Sequence, residues 1–258
     1  MRIFCIGDIV GNPGIRILSE KLEYFKDEQH INLIIANAEN SAHGRGITRS
    51  VYDELSNIGI DGFTMGNHVW NCKDVFPLMQ YKQNIIRPAN YEKSSPGKGS
   101  MILEYNGVSV GIINLAGRIF MDAANSPFNA AMREINNMKS KDVKIILVDF
   151  HAEATSEKKA LGWYLDGKVS AIFGTHTHVQ PADECILPNG TGYITDLGMT
   201  GSVYSVLGME RDIIIEKFLT GIPARFEVAD GTSRISGCVF DIDEETGKTN
   251  DIFRVNIQ

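Results

Sequence analysis

Short apolar runs along this chain lead into polar residues whose side chains can bind a ligand or a metal ion. The runs end at Gly7-Asp8, at Asn37-Ala38-Glu39-Asn40, at Gly66-Asn67-His68, at Phe150-His151 and at Gly174-Thr175-His176-Thr177-His178. Their short lengths and β-branched residues predict buried strands rather than helices. In open α/β sheets, ligands bind beyond the carboxyl ends of the strands. If these strands are parallel neighbours, the polar side chains converge on one site.

The apolar spacing also places helices between the strands. Strands are predicted at residues 2–6, 31–36, 143–149 and 169–173, and helices at 48–57, 129–139 and 156–165. A first helix is predicted with Asn12 as its N-cap and Pro13 in its first position. The Asn106-Gly107 pair predicts a hairpin between residues 101–105 and 108–114, and more strands are expected at 224–228, 233–240 and 252–257. We expect one α/β domain over residues 1–258, with helical layers around a mixed or two-sheet core.

Composition narrows the class of partner. The 258 residues carry 25 Lys and Arg against 32 Asp and Glu, for a formal net charge of −7. Such an acidic chain is not expected to bind extended nucleic acid, because that binding requires a basic face. No apolar run is long enough to span a membrane. The four cysteines are scattered without a CxxC pair, which favours reduced thiols in the cytoplasm and disfavours a cysteine-ligated zinc site.

The polar residues at the strand ends have the chemistry of a metal site. Carboxylate and amide oxygens suit magnesium, manganese and iron, and imidazole adds affinity for manganese, iron and zinc. His176 and His178 are two residues apart, so both rings point to the same side of an extended segment. A two-metal site needs one bridging carboxylate and several terminal ligands. Those ligands are available from Asp8, Glu39, Asn40, Asn67, His151, His176 and His178.

Each of these residues also has an ordinary structural interpretation. Asp8 and Asn40 could cap helices, Gly66-Asn67 could be a turn, and a single histidine such as His151 is usually only hydrogen-bonded. Glu39 adjoins an apolar strand, where a carboxylate needs a partner. The ordered set of motifs therefore favours the metal site over the separate structural roles.

Taken in order, these motifs resemble the calcineurin-like metallophosphoesterases, and in particular the bacterial YmdB-like phosphodiesterases. The resemblance rests on Gly7-Asp8-Ile9-Val10-Gly11, Asn37-Ala38-Glu39-Asn40, Gly66-Asn67-His68 and the histidine-rich tail that ends at His178 and Gln180. It extends over essentially the whole chain. Val10 stands where the wider superfamily has a ligating histidine, and Glu39 where it has a bridging aspartate; both differences are expected in the YmdB-like subfamily.

The resemblance implies a four-layer α/β/β/α sandwich and two divalent or trivalent metal ions. Iron or manganese is expected, with magnesium or zinc as alternatives. The implied ligands of one ion are Asp8, Glu39, Asn40 and His178, and those of the other are Glu39, Asn67, His151 and His176, with Glu39 as the bridge. The resemblance also implies a small phosphodiester substrate, notably a 2′,3′-cyclic nucleotide, and a homodimer or homotetramer.

The mechanistic hypothesis is hydrolysis by a hydroxide that bridges the two metals, since metal binding lowers the pKa of water toward neutrality. His68 follows the predicted ligand Asn67 and is expected to be the general acid that protonates the leaving ribose oxygen. Arg45 and Arg118 are candidates for contacts to the substrate, although a solvated surface arginine is the ordinary interpretation of each. His30 and His43 are not expected to be ligands.

Three functions remain open at this point. A phosphodiesterase and a phosphomonoesterase or phosphoprotein phosphatase would use the same metal core and differ only in the shape of the pocket. A regulatory protein that binds partners through the same fold belongs to a different class. The complete ligand set argues against a lost active site.

Overall fold

Alternate residues of the first strand pack into two different hydrophobic layers. Ile3 and Cys5 join one buried cluster, whereas Phe4 and Ile6 join another. Successive side chains of a strand point to opposite faces of the sheet, so this strand is covered on both faces. One face packs against helices and the other against a second sheet.

The computed structural model describes residues 1–258, with fourteen strands and six helices. The strands are β1 (Arg2–Ile6), β2 (Asp8–Ile9), β3 (Leu33–Asn37), β4 (Gly62–Thr64), β5 (Ile85–Ile86), β6 (Ser100–Tyr105), β7 (Val108–Ala116), β8 (Ile145–His151), β9 (Ala171–Thr175), β10 (Cys185–Ile186), β11 (Gly192–Ile194), β12 (Met199–Ser202), β13 (Ser233–Ile242) and β14 (Thr249–Ile257). The helices are α1 (Gly11–Glu28), α2 (Arg49–Ile58), α3 (Val75–Tyr81), α4 (Pro127–Lys139), α5 (Thr155–Leu165) and α6 (Arg211–Thr220).

The strands form two mixed sheets. The first has eight strands in the order β2-β12-β13-β1-β3-β4-β5, with β14 also paired to β13. The second has six strands in the order β10-β11-β9-β8-β7-β6. Strands β1, β3, β4 and β5 are mutually parallel, and so are β7, β8, β9 and β11. Each sheet therefore gathers several carboxyl ends at one edge.

Three buried clusters separate four layers. One cluster packs helices α1, α2 and α3 on the first sheet, and a second packs α4 and α5 on the second sheet. The third contains side chains of both sheets, such as Ile35 of β3 and Leu147 of β8. The chain is thus an α/β/β/α sandwich, and the fold class predicted from the sequence is confirmed.

Some boundaries predicted from the sequence are wrong. Strands predicted at 31–36, 143–149 and 169–173 begin two residues later, so that His151 and Thr175 are the last strand residues rather than loop residues. Helix α1 begins at Gly11, where the backbone N–H bonds to the carbonyl of Asn40, and its N-cap is Val10 instead of Asn12.

The hairpin at Asn106-Gly107 and the strands β13 and β14 are confirmed. The strand predicted at residues 224–228 is wrong, because that segment is largely exposed and has a single bridge between Val228 and Met209. Helices α3 and α6 and the short strands β10, β11 and β12 were not anticipated from the sequence. None of the helices is long and apolar enough to cross a membrane.

Candidate metal centre

The ends of several strands in the two sheets bring the seven predicted metal-ligating residues to one place. In the first sheet, Asp8 opens β2, Glu39 and Asn40 follow β3, and Asn67 follows β4. In the second sheet, His151 ends β8, and the segment with His176 and His178 follows β9 directly. Sheet order accounts for this convergence, since β3 and β4 are paired, as are β8 and β9. These side chains therefore lie close together, as the positions of the strand ends predict.

Four of these side chains meet around one imidazole nitrogen. Nε2 of His151 lies 2.9 Å from Oε1 of Glu39, 2.9 Å from Oδ1 of Asn67 and 3.1 Å from Nδ1 of His176. The ligand atoms of Glu39, His151 and His176 all lie within 4.8 Å of one another. This first group matches one of the two ligand sets expected from the sequence.

The remaining ligand candidates form a second group beside the first. Oδ1 of Asp8 lies 3.3 Å from Nδ2 of Asn40 and 3.7 Å from Nε2 of His178. Nδ2 of Asn40 is 3.3 Å from Nε2 of His178. The two groups are joined where the backbone N–H of His176 donates to Oδ2 of Asp8 at 3.0 Å.

Each of the three candidate histidines has an oxygen atom near the nitrogen that faces away from the centre. Nδ1 of His151 lies 2.9 Å from Oγ1 of Thr175, Nε2 of His176 lies 3.1 Å from Oε2 of Glu153, and Nδ1 of His178 lies 3.1 Å from the carbonyl oxygen of Leu207. A proton on each outer nitrogen leaves a lone pair on the inner nitrogen. Histidines that bind metals are oriented in this way.

The two carboxylates of the centre are buried and have no Lys or Arg partner. Asp8 is fully buried and Glu39 is 1% exposed, and their ion-pair partners are imidazoles. Burial raises the pKa of both carboxyls, although nearby imidazoles oppose the shift. Burial also lowers the pKa of His151 and His176 to about 4, so both rings are neutral at pH 7. Neutral imidazoles and unbalanced carboxylates are the donors that fit a metal cation.

His68 sits at the rim of this centre. Its backbone N–H donates to Oε2 of Glu39 at 2.8 Å, and its Nδ1 lies 3.2 Å from Oδ1 of Asn71. The contact to Asn71 leaves Nε2 of the partly exposed ring without a partner in the protein. His68 is therefore held beside Glu39 by its backbone, and its partly exposed ring is fixed on one side by Asn71.

The two arginines predicted to contact substrate are both exposed. Arg45 lines a cavity of about 550 Å³ with Lys217, Arg225 and Phe226. Arg118 lies two residues beyond Ala116, which pairs in register with His151, and its backbone N–H donates to Glu157. The structure thus puts both arginines outside the ligand groups.

The sequence patterns do not predict several residues that support the centre. Asp149 accepts a hydrogen bond from Oγ1 of Thr175 at 2.7 Å and another from Oγ1 of Thr64. Burial raises the pKa of Asp149 to about 7. The pattern Asp149-Phe150-His151 carries a signal for this, since strand residues two apart face the same side.

Gly66 is required by the same centre. A Cβ atom at Gly66 would lie 2.3 Å from the ring of His151, a distance that real Cβ contacts do not reach. The Gly66-Asn67 pair therefore serves two purposes, because the glycine admits the imidazole and the asparagine carbonyl faces it.

The chain is similar to known proteins over almost its whole length. A family model described as "YmdB-like protein" matches residues 4–255. The 2′,3′-cyclic-nucleotide 2′-phosphodiesterase of Bacillus subtilis (strain 168) is 48% identical over 257 residues, which cover 100% of this chain and 97% of that protein.

Two crystal structures share the fold closely. One, from Thermus thermophilus and described as a hypothetical protein, has a TM-score of 0.94 and 41% identity, covering 99% of this chain and 98% of the other. The second, described as a novel phosphatase from Mycoplasma pneumoniae, has a TM-score of 0.93 and 35% identity, covering 100% of this chain and 93% of the other.

Proposed function

The chain belongs to the YmdB-like protein family, and on this premise we propose that it is a two-metal phosphodiesterase of small substrates such as 2′,3′-cyclic nucleotides. The observation that carries the proposal is the meeting of Glu39, Asn67 and His176 around Nε2 of His151. A buried carboxylate, an amide oxygen and two neutral imidazoles form a donor set for a metal rather than a packed core.

The ligand roles follow the two groups. Asp8, Asn40 and His178 would hold one cation, Asn67, His151 and His176 would hold the other, and Glu39 would be a ligand of both. Iron or manganese suits this mixture of oxygen and imidazole donors, with magnesium or zinc as alternatives. Bound cations supply positive charge for the phosphate oxygens and lower the pKa of water toward neutrality. They also balance the acidic excess of the chain locally, so a net charge of −7 is compatible with an anionic substrate.

The protein supplies the acid that completes the reaction. Cleavage of the 2′ ester bond of a 2′,3′-cyclic nucleotide requires a proton on the departing 2′ oxygen and leaves a 3′-phosphate. We assign that transfer to His68, because its backbone is held on Glu39 and Nδ1 of its partly exposed ring contacts Asn71, which leaves Nε2 for the substrate. A positioned acid of this kind typically contributes about 10²–10⁴-fold to the rate.

Substrate contacts outside the metals are assigned to Arg45 and Arg118. Arg45 lies five residues after Asn40, on a segment whose Gly46 N–H is hydrogen-bonded to the carbonyl of Glu39. Arg118 follows β7 at the same sheet edge as His151. A guanidinium at either place can contact the phosphate or the ribose of a bound nucleotide.

A homo-oligomer completes the proposal. Helix α6 and the turn after it expose Ile215, Phe218, Leu219 and Ile222, and Phe218 and Leu219 are each 81% exposed. Only Ile214 of this helix is buried in the body of the protein. An exposed apolar face of this kind is typical of a contact with another subunit. The cytoplasmic location expected from the sequence stays a prediction.

The experiment that tests the function compares esters on the Mn²⁺- or Fe²⁺-loaded protein. We expect faster hydrolysis of bis-p-nitrophenyl phosphate than of p-nitrophenyl phosphate, and release of a 3′-nucleotide from 2′,3′-cyclic AMP but not from 3′,5′-cyclic AMP. A preference for the monoester would favour the phosphatase alternative, which the description of the Mycoplasma pneumoniae structure supports. No hydrolysis with either metal would favour a regulatory binding protein.

A further inference from the structure

Two of the proposed metal ligands have backbone angles that side chains other than glycine rarely adopt. The φ angle is 94° at His176 and 64° at His178. Non-glycine residues in this left-handed region are strained, and the strain persists only where the surroundings fix the conformation. The segment with Thr177 between two strained histidines must therefore be held by contacts from outside.

The carboxylate of Asp196 provides the first contact. The backbone N–H of Thr177 donates to Oδ2 of Asp196 at 3.1 Å, and Oγ1 of Thr177 donates to the same oxygen at 2.7 Å. The other oxygen, Oδ1, accepts from the backbone N–H of Gly198 at 2.8 Å. Asp196 is 1% exposed, so these bonds are sheltered from water. Thr177 is thereby fixed through both its backbone and its side chain.

The ammonium of Lys158 provides the second contact. Lys158 lies on α5 and is 1% exposed. Its Nζ donates to Oδ2 of Asp196 at 2.7 Å and to the carbonyl oxygen of Thr175 at 2.8 Å. Thr175 immediately precedes His176. The ammonium of Lys158 thus holds the backbone on one side of His176 directly, through Thr175. It holds the other side through Asp196, which binds Thr177.

Lys158 packs closely against β9. A Cβ atom at Gly174 would lie 1.9 Å from the carbonyl oxygen of Thr195 and 2.9 Å from Cε of Lys158, so the glycine lets the strand lie close to both. Burying an ion pair is costly and adds little to stability by itself, since both ions lose their hydration. In some proteins such a pair instead specifies a conformation.

We propose that Lys158 and Asp196 are positioning residues that hold His176 and His178 in the orientation that binds metal. The proposal rests on the proposed function, in which both histidines are ligands. Neither Lys158 nor Asp196 is among the proposed ligands. Their effect on catalysis passes through the two imidazoles, so metal affinity is the quantity that they control.

The test measures Mn²⁺ affinity by titration calorimetry and apoprotein melting in EDTA. One variant is Thr177→Val, which removes a single hydrogen bond to Asp196. A second is the double substitution Lys158→Met with Asp196→Asn, which removes both charges together. The matched control is Lys159→Met, on the same helix, which breaks an ion pair of 2.8 Å with Asp183 that does not touch the histidine segment.

We expect Thr177→Val and the double variant to bind Mn²⁺ about 10–100-fold more weakly, the range typical for residues that orient a metal ligand. The control should bind as the wild type does, and Thr177→Val should melt near the wild type in EDTA. A purely structural role would instead lower the melting temperature and leave the affinity of the folded protein unchanged.

Wild-type Mn²⁺ affinity in folded Thr177→Val overturns the proposal, and this variant decides the matter if the double variant does not fold. Failure of the proposed function has a different result. A wild-type chain that binds neither Mn²⁺ nor Fe²⁺ refutes the metal centre and the positioning pair together. A wild-type chain that binds metal and hydrolyses diesters, alongside variants of equal affinity, refutes the positioning pair alone.

Discussion

Nε2 of His151, at the end of β8, lies 2.9 Å from Oε1 of Glu39, which follows β3, and both side chains are buried. The contact joins the two sheets at the edge where their parallel strands end. A neutral imidazole and a carboxylate with no Lys or Arg partner are both incomplete without a cation. Stability and activity should therefore both depend on metal.

Removal of metal should lower the melting temperature. At a free Mn²⁺ concentration of about 100 times Kd, each occupied site contributes about 2.7 kcal/mol to stability, so one site alone gives a measurable shift. For a chain of this size that corresponds to a shift of roughly 5–10 °C. Melting followed by circular dichroism in Mn²⁺ and in EDTA measures the difference. Equal melting temperatures in the two solutions would contradict a metal site in the folded protein.

His68→Ala should lower kcat by about 10²–10⁴-fold, because the leaving oxygen loses its acid. Metal content should stay at the wild-type level, since the ring of His68 does not join either ligand group. Steady-state kinetics on 2′,3′-cyclic AMP, together with metal analysis, measure both quantities. The matched control is His30→Asn, at an exposed histidine that belongs to neither ligand group. Loss of metal from His68→Ala would show instead that His68 is a ligand.

The sequence was enough to predict which polar residues gather at this edge, but not the residues that hold them. Asp8, Glu39 and His151 stand at the ends of apolar runs, so their position in the chain already indicates a shared edge. Lys158 stands beside Lys159 in a charged run that is typical of a solvated helix face. Only the packing of α5 on the second sheet buries Lys158 and leaves Lys159 half exposed.

Helix α6 shows a second limit of sequence patterns. Ile213, Ile214 and Ile215 are consecutive and β-branched, so they carry no helical spacing, and only Ile214 is buried. The turn at Gly221, with φ of 72°, ends the helix. The apolar residues of α6 therefore contribute to a surface rather than to the core.

Phe218→Glu should reduce the oligomer to a smaller species, because it places a charge on the exposed apolar face of α6. Size-exclusion chromatography with light scattering measures the mass. Glu216→Gln, an exposed substitution on the same helix, should leave the mass unchanged. A wild-type chain that is monomeric at micromolar concentration would refute the proposed oligomer.

Stability should depend on pH through Asp183. Burial raises the pKa of Asp183, but hydrogen bonds from Lys159 and Thr195 outweigh it and hold the pKa below its usual value. A lowered pKa stabilises the folded state above the unfolded pKa of about 4, and this contribution is lost as the pH falls through the folded pKa.

Asp183→Asn should therefore be less stable than the wild type at pH 6, and the difference should narrow below about pH 4. The effect of the ion pair should be under about 1 kcal/mol, because Lys159 is half exposed and solvent screens it. Urea unfolding in EDTA at pH 6 and pH 3 measures it. A difference that stays constant across this range would show that ionisation of Asp183 does not contribute.

The shared ligand Glu39 gives the most direct test of the two-metal centre. The measurement is the number of metal ions bound per chain after anaerobic purification, for the wild type and for Glu39→Gln, with the exposed Glu54→Gln as control. We predict two ions per chain in the wild type and the control. We predict fewer than one in Glu39→Gln, with a loss of activity above about 100-fold, more than for residues that only orient a ligand. Two ions and wild-type turnover in Glu39→Gln would contradict the account.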